Sequence, residues 1–476
     1  MVRGFVLVAA LALCLGPARA IAQQGAPAYP HPKYQVLPFN EDWSVLAHED
    51  PNRPDDIFDP IKYIALTDDG KVWASFGGQY RMRLEGWTRF NFGAPPTADD
   101  DDVFVLNRAL YHLDLHLGEQ FRIFVQGKSA FCTSRDLVGG CRTLDADEFD
   151  LQNGFIDAMI PLPADADLTI RVGRQELLFG KQRLASPLDW SNTRRTFDGV
   201  SAIVKAGAWT ATGFLTRPVT VLKYDANEPN EDVDFYGIYA SRTVARMKGG
   251  FDLYWLGLHR NKAGFNGTTG EEKRQTLGAR AWGKIGDSDF DYDMEGAFQF
   301  GTIGPGNIHA YMVSTNLGYT FGDTRGKPRL YAGYDYASGD GGVGDADVQT
   351  FNQLFPLGHA YFGYIDTVAR QNISSPNVGI SYAPVYKALL KAEYLYFWRA
   401  SDNDALYNAG GGVARPGSSG TSRDIGSEID LTASYQLDLH TQLIGGYSRF
   451  FAEEFIRQSG PSKDINFLYF IFQYTF

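Results

Sequence analysis

Charged and apolar side chains alternate along several stretches of this 476-residue chain. Gln79, Arg81, Arg83 and Glu85 oppose Phe76, Tyr80, Met82 and Leu84. Arg122, Gln126 and Lys128 oppose Phe121, Ile123 and Val125. Further on, Asp289, Asp291, Asp293, Glu295 and Gln299 oppose Phe290, Tyr292, Met294, Phe298 and Phe300. Glu428, Asp430, Thr432, Ser434 and Gln436 oppose Ile429, Leu431, Ala433, Tyr435 and Leu437. A period of two places each set on its own face of a strand. The chemistry such a polar face offers is electrostatic. Guanidinium forks hold carboxylates at two points, and rows of fixed charge select among solutes moving past them.

The polar-face candidates are Arg81, Arg83, Arg108, Arg122, Lys128, Arg171, Arg280, Lys284, Lys391 and Arg399. Their acidic counterparts are Glu85, the 289–295 run, Glu393, Glu428 and Asp430. The basic strands gather in the first third and the acidic ones later. If these faces line one space, a basic wall meets an acidic wall. The transverse field suits zwitterions, polar organics or sugars at least as well as a long polyanion. The same residues can equally bridge one another and only brace the wall.

Catalytic and metal chemistry find little footing. His112 and His116 stand four apart with no adjacent serine nucleophile. No G-x-S-x-G, H-E-x-x-H or Walker-type loop is present, so no enzyme is expected. No cofactor is expected either. Asp99 to Asp102 and Gly339 to Asp347 offer oxygen ligands for Ca²⁺, but without EF-hand or repeat spacing they read as solvated loop acids. Cys132 and Cys141, with Gly139-Gly140 between them, read as a local disulfide in a loop of an exported protein.

The elements that position these residues recur through the chain. About eighteen strand-like stretches run from residue 74 to the end. Tight turns at Gly118-Glu119-Gln120, Ala206-Gly207, Arg246-Met247, Gly286-Asp287 and Val385-Tyr386 separate them in pairs. Between the pairs fall long polar linkers at 91–102, 132–148, 176–195, 216–232, 261–272, 339–374 and 401–425. This alternation predicts an all-β fold, a transmembrane antiparallel up-and-down β-barrel of about 18 strands, with long loops outside and short turns in the periplasm. The polar face must be the lumen, because Arg or Lys facing lipid at mid-depth costs about 2–4 kcal/mol. Around eighteen strands enclose an aqueous channel. Trp73, Trp87, Trp282 and Trp398 are expected in the interfacial girdles, and loops 339–374 and 401–425 are expected to restrict the mouth. Strands 233–245 and 248–260 alternate poorly and leave their faces unassigned.

Both ends agree. The last twelve residues are aromatic, with Phe472, Tyr474 and Phe476 alternating with Gln473 and Thr475. They resemble the C-terminal signature by which outer-membrane proteins reach their assembly machinery. At the other end, Arg3, the apolar run Phe5 to Leu15 and Ala18-Arg19-Ala20 read as a signal peptide cleaved near Ala20. Leu13, before Cys14, does not suit a lipoprotein signal. The expected organisation is a signal peptide at 1–20, a periplasmic N-terminal segment at 21–73 and a barrel at 74–476. The Pro-rich, acidic 21–73 segment can fold on the barrel mouth, reach inside as a plug, or stay mobile. Removing Arg3 and Arg19 leaves 42 basic against 56 acidic residues, a net charge of about −14, unlike a nucleic-acid binder. The expected partners are outer-membrane lipid, the assembly machinery and a passing solute, with the chain itself a monomer.

The stretch Phe58 to Leu66, then Phe76-Gly-Gly-Gln-Tyr-Arg-Met-Arg-Leu-Glu85, resembles the start of alginate-export-family outer-membrane proteins. So do Arg171-Val-Gly-Arg-Gln175, Tyr396-Phe-Trp-Arg399 and Gly426-Ser-Glu-Ile-Asp-Leu431. The resemblance implies an eighteen-stranded barrel with an arginine-containing constriction that passes an anionic polysaccharide. It places Arg171, Arg174 and Arg399 at basic positions of the family motifs, and Glu428 and Asp430 at acidic ones, all expected to line the lumen. The function expected is an outer-membrane channel for anionic or polar carbohydrate-like solutes, including alginate-type export. The alternative is a substrate-selective diffusion porin for small organic molecules or sugars.

Overall fold

The computed structural model describes residues 32–94 and 100–476. The expected signal peptide, its cleavage site and Asp99 lie outside the described residues. Among the described residues, eighteen antiparallel strands form one closed wall. They are β1 (Val72–Thr88), β2 (Asp102–Leu117), β3 (Phe121–Thr133), β4 (Asp147–Leu162), β5 (Ala166–Gln175) and β6 (Phe197–Ala206). Next come β7 (Trp209–Thr220), β8 (Val233–Val244), β9 (Gly249–Phe265), β10 (Thr268–Lys284), β11 (Phe290–Ile303) and β12 (Gly306–Thr320). The wall ends with β13 (Arg329–Ala337), β14 (Ile373–Tyr382), β15 (Ala388–Arg399), β16 (Asp424–Gln436), β17 (Thr441–Ala452) and β18 (Ile465–Thr475).

Each strand pairs with its sequence neighbours, and β18 returns to β1 in the register Gln79↔Thr475 through Thr88↔Asn466. Gly78 and Phe476 complete the seam with reciprocal backbone bonds of 2.8 and 2.9 Å. Closure pairs every edge, which a strand wall in hydrocarbon requires. Among the described residues no helix is long and apolar enough to cross a membrane. The outward alternation carries Leu215, Ile238, Leu253, Leu277, Val313, Val378 and Leu431, all exposed. The inward alternation carries the charges.

The expected linker at 261–272 is not a loop. β9 and β10 continue to Phe265 and Thr268 and meet at a two-residue turn, Asn266-Gly267. β11 and β12 likewise meet at Gly304-Pro305. Asn266-Gly267 is a hairpin signal, and it outweighs the local polarity that suggested a linker. At 17 residues each, β9 and β10 exceed the roughly 9–11 that a bilayer needs, so these hairpins rise beyond the membrane.

Three of the four tryptophans also depart from the expected girdle. Trp73, Trp87 and Trp282 face inward rather than forming a girdle. Trp73 stacks on His116 at 3.8 Å, Trp87 stacks on Phe467 at 3.9 Å, and Trp282 lies under the Arg280 guanidinium at 4.2 Å. Each has the parity of its inward neighbours, which proximity to a strand end cannot reveal. Trp398 faces outward.

Candidate functional site

Two loops fold into the bore instead of over its mouth. The first, 176–196, joins β5 to β6. Arg81 donates to the carbonyls of Asp189 (2.6 Å), Trp190 (3.2 Å) and Ser191 (2.9 Å). Arg108 donates to the carbonyls of Asp189 and Ser191 at 3.1 Å each and pairs with the Asp189 carboxylate at 2.8 Å. Arg194 completes the cluster on Asp189 and Glu176. Burial alone would raise the Asp189 carboxyl, but Arg108, Arg194 and Arg81 outweigh it and hold its pKa well below the ordinary range. Lys128 reaches the Thr193 carbonyl at 2.8 Å and Asp147 at 2.7 Å.

A third segment supports this loop from behind. Cys132 and Cys141 are joined by a disulfide. The clipped loop 134–146 offers the Leu144 carbonyl to Ser191 Oγ (2.9 Å) and to the Asn192 amide (3.0 Å). It also offers the Thr143 carbonyl to Thr193 Oγ1 at 2.9 Å.

The second inner loop, 338–372, comes from the opposite side. Its Phe355 amide donates to Leu184 O and its Leu357 amide to Gln182 O, both at 2.9 Å, so the two loops join. Far-wall residues fix it: Arg274 to Thr350 O (3.3 Å), Gln299 to Asn352 O (2.8 Å), Arg370 to Asp335, and the Ile365 amide to Glu428 Oε1 (2.9 Å). Arg183 of the first loop reaches Asp293 (2.9 Å) and Glu295 (2.8 Å) on β11. Together the loops make a bar across the bore, tied to β1–β3 on one side and to β10, β11, β13 and β16 on the other. Trp190 stacks on His359 across the two loops at 3.8 Å, beneath the Arg83 guanidinium at 4.2 Å.

The N-terminal segment enters from the tight-turn end. Phe39 meets Phe124 and Phe155 edge-on at 5.6 and 5.3 Å, and the Arg171 guanidinium lies over it at 4.5 Å. Arg122 donates to Phe39 O (2.8 Å) and Arg194 to Val36 O (2.9 Å). Below, Phe58 packs on Phe476 at 5.2 Å, and Asp56 pairs with His440 at 2.8 Å. Two of the three arrangements open from sequence are combined: the stretch around Phe39 reaches inside, and Asp56 to Phe58 pack at the barrel mouth.

The expected polar-face residues therefore face the bore, with one exception, and most are engaged, whereas Lys284 at the end of β10 is exposed. Arg122 holds Asp114 with both Nε and Nη2, and Arg171 holds Asp157 in the same way at 2.8 Å each. Arg280 bridges Asp293 and Asp252. Arg399 is fully buried and donates to the carbonyls of Asp402 (2.8 Å), Asp404 (2.9 Å) and Ser422 (2.7 Å), fixing loop 400–423. Glu428 and Asp430 are inward neighbours on β16, and Ser448 donates to Asp430. Bracing, rather than a bare charged surface, describes most of the set.

Arg174 is the exception. Arg171 and Arg174 are three residues apart on one strand, so alternation turns them to opposite sides. Arg174 shares the outward parity of the exposed Val172 and pairs with Asp198 (2.8 Å) and Asp150 (3.2 Å) at the rim, where Asn227 O also accepts from it.

Sequence reading missed Arg183, Trp190, Arg194, Arg195, His359 and Tyr361, all in the inner loops. A signal was available. Leu177, Leu178, Phe179, Leu184 and Trp190 are more apolar than an exterior polar linker warrants. His112 and His116 face the bore beside Phe124 and Trp73, and no serine hydroxyl among the described residues bonds to either. Among the described residues no cluster of three metal-ligating side chains exists.

A protein-family model described as alginate export matches residues 72–469. No curated protein matches the sequence. Solved structures do. A BenF-like porin from Pseudomonas fluorescens Pf-5 aligns with a TM-score of 0.57 at 12% identity, covering 85% of this chain and 98% of that one. Acinetobacter baumannii OccAB1 aligns with a TM-score of 0.57 at 11% identity, covering 87% and 98%. Pseudomonas aeruginosa OccK2 (OpdF), in complex with glucuronate, aligns with a TM-score of 0.54 at 13% identity, covering 84% and 97%. At such identities the likeness shows a shared fold.

Proposed function

The chain belongs to the alginate-export family of outer-membrane barrel channels, and from that premise we propose that it is a solute-selective diffusion pore for single polar or anionic, saccharide-like molecules. One observation supports this reading best: the bar of loops 176–196 and 338–372, hydrogen-bonded across the bore. On this reading a solute passes between the bar and the wall, where polar and aromatic groups replace its water shell. A polymer in transit would need an uninterrupted duct. It would also favour a row of uncompensated cations, and here Arg122, Arg171 and Arg280 already hold carboxylates. Alginate-type export remains the second reading, supported by the family description and by the inward arginines.

Planar-bilayer recording separates the two. The purified protein in KCl is expected to show a small, steady conductance that rises several-fold when residues 340–370 are replaced by a short Gly-Ser linker. Oligouronates should then block the loop-deleted channel more strongly than the intact one. Strong block of the intact channel by long oligouronates would favour export. No ion current from either protein would remove the channel reading.

A further inference from the structure

The bar contains one guanidinium that the wall leaves uncompensated. Arg195 closes the first inner loop, two residues before β6 begins at Phe197. Its Nη1 donates to Ser186 O (3.2 Å) and to Pro356 O (3.4 Å), so both inner loops fix it. Its guanidinium carbon lies 5.5 Å from the Phe355 ring centre. No carboxylate among the described residues pairs with it. Burial pushes its pKa down to about 10, which leaves the cation intact at neutral pH.

Other arginines of this chain show what its remaining edge suits. Arg122, Arg171 and Arg174 each hold a carboxylate at two points through Nε and Nη2. On Arg195 the same Nε–Nη2 edge has no hydrogen-bond acceptor among the described residues, and neither nitrogen is sealed from solvent. Arg81 and Arg399 also lack an acidic partner, but they are 3% and 0% exposed and their forks are taken by loop carbonyls. Arg195 differs in being half-buried, oriented and reachable.

We propose that Arg195 is a carboxylate-binding site of the constriction, taking one carboxylate of a small organic acid on its Nε–Nη2 edge while the solute's carbon body lies against the half-buried Phe355. The proposal rests on the channel reading above and narrows its solute to monoacids such as uronates. The planar fork matches the two oxygens of a carboxylate, whereas a halide or a neutral sugar lacks that match. A polyanion would need a row of such edges.

The test uses sodium D-galacturonate as the probe and D-galactose as its uncharged counterpart, on the full-length protein in bilayers. Galacturonate should block the KCl current saturably and galactose should not. Arg195→Lys keeps the charge and loses the planar edge. It should retain the KCl reversal potential while the half-blocking concentration rises about ten-fold or more, the equivalent of one lost charged hydrogen bond. Arg195→Gln should lose both the block and part of the anion preference. Wild-type block in either variant, or equal effects of galacturonate and galactose on the wild type, would overturn the proposal. If the wild type carries no KCl current, the channel reading fails, and titration calorimetry of galacturonate into the detergent-solubilised protein decides the site separately. There, binding absent from the wild type or undiminished in Arg195→Lys overturns it. Heat-modifiable gel mobility checks that each variant is folded, and the lysine variant decides if the glutamine variant is not.

Discussion

At Gly77, on the inward face of β1, an added Cβ would lie 2.4 Å from Lys62 Nζ and 2.6 Å from the His112 ring. The glycine is what lets the N-terminal segment lie against the wall. Lys62 is buried there, its ammonium 4.8 and 5.2 Å from the Trp43 and Tyr34 rings. Burial lowers its pKa to about 8, against the opposing pull of Glu41 and Asp56. The folded value lies below the unfolded one, so the undocked segment binds more protons between about pH 8 and 10.5. Docking should therefore strengthen as pH rises through that window. Limited proteolysis between pH 7 and 10 checks this: cleavage within 32–63 should slow toward alkaline pH, and Lys62→Met should flatten the dependence. Cleavage that accelerates with pH in the wild type only would contradict it.

Strands were legible in this sequence wherever one face meets lipid and the other meets water. β3, β11 and β16 show that contrast, and their faces follow from alternation. β8 and β9 did not, because their inward face is not wet. Phe235 packs on Phe355 at 4.8 Å and Tyr239 on Phe179 at 4.9 Å, so the inner loops give this wall an apolar inner lining. Alternation fades when both sides are greasy. The sequence predicts exterior loops, because position in a hairpin says nothing about which way a long connection folds. Motif spacing groups Arg174 with Arg171, but strand parity turns the two to opposite faces. The disulfide pairing was legible, but its task of backing the inner loop through Leu144 and Thr143 was not. That task predicts an outcome. Cys132→Ser removes a loop constraint of roughly 2–4 kcal/mol. The channel should remain folded, with greater single-channel current noise and a higher mean conductance. Noise identical to the wild type would mean that the inner loop is held without the clip.

For the whole molecule, the wall and its contents are separable. The only sheet pairing of the described N-terminal segment joins Ile64–Ala65 to β1, while every wall strand is paired on both sides by others. Deleting residues 32–58 should leave a barrel with unchanged heat-modifiable gel mobility and a larger conductance. Failure to close would show that the segment is part of the wall's folding nucleus. The tall hairpins β9–β10 and β11–β12 also do more than cross the membrane. Asp347–Val348 of the inner loop adds in parallel to Asn307–Ile308, and the Gly344 amide donates to Asn266 O at 3.0 Å. The rim is consequently lopsided, with a parapet on one flank carrying the strap of the inner loop. An antibody gripping that parapet would pull on the strap, so a binder raised against the Asn266-Gly267 tip would act as a handle on permeation.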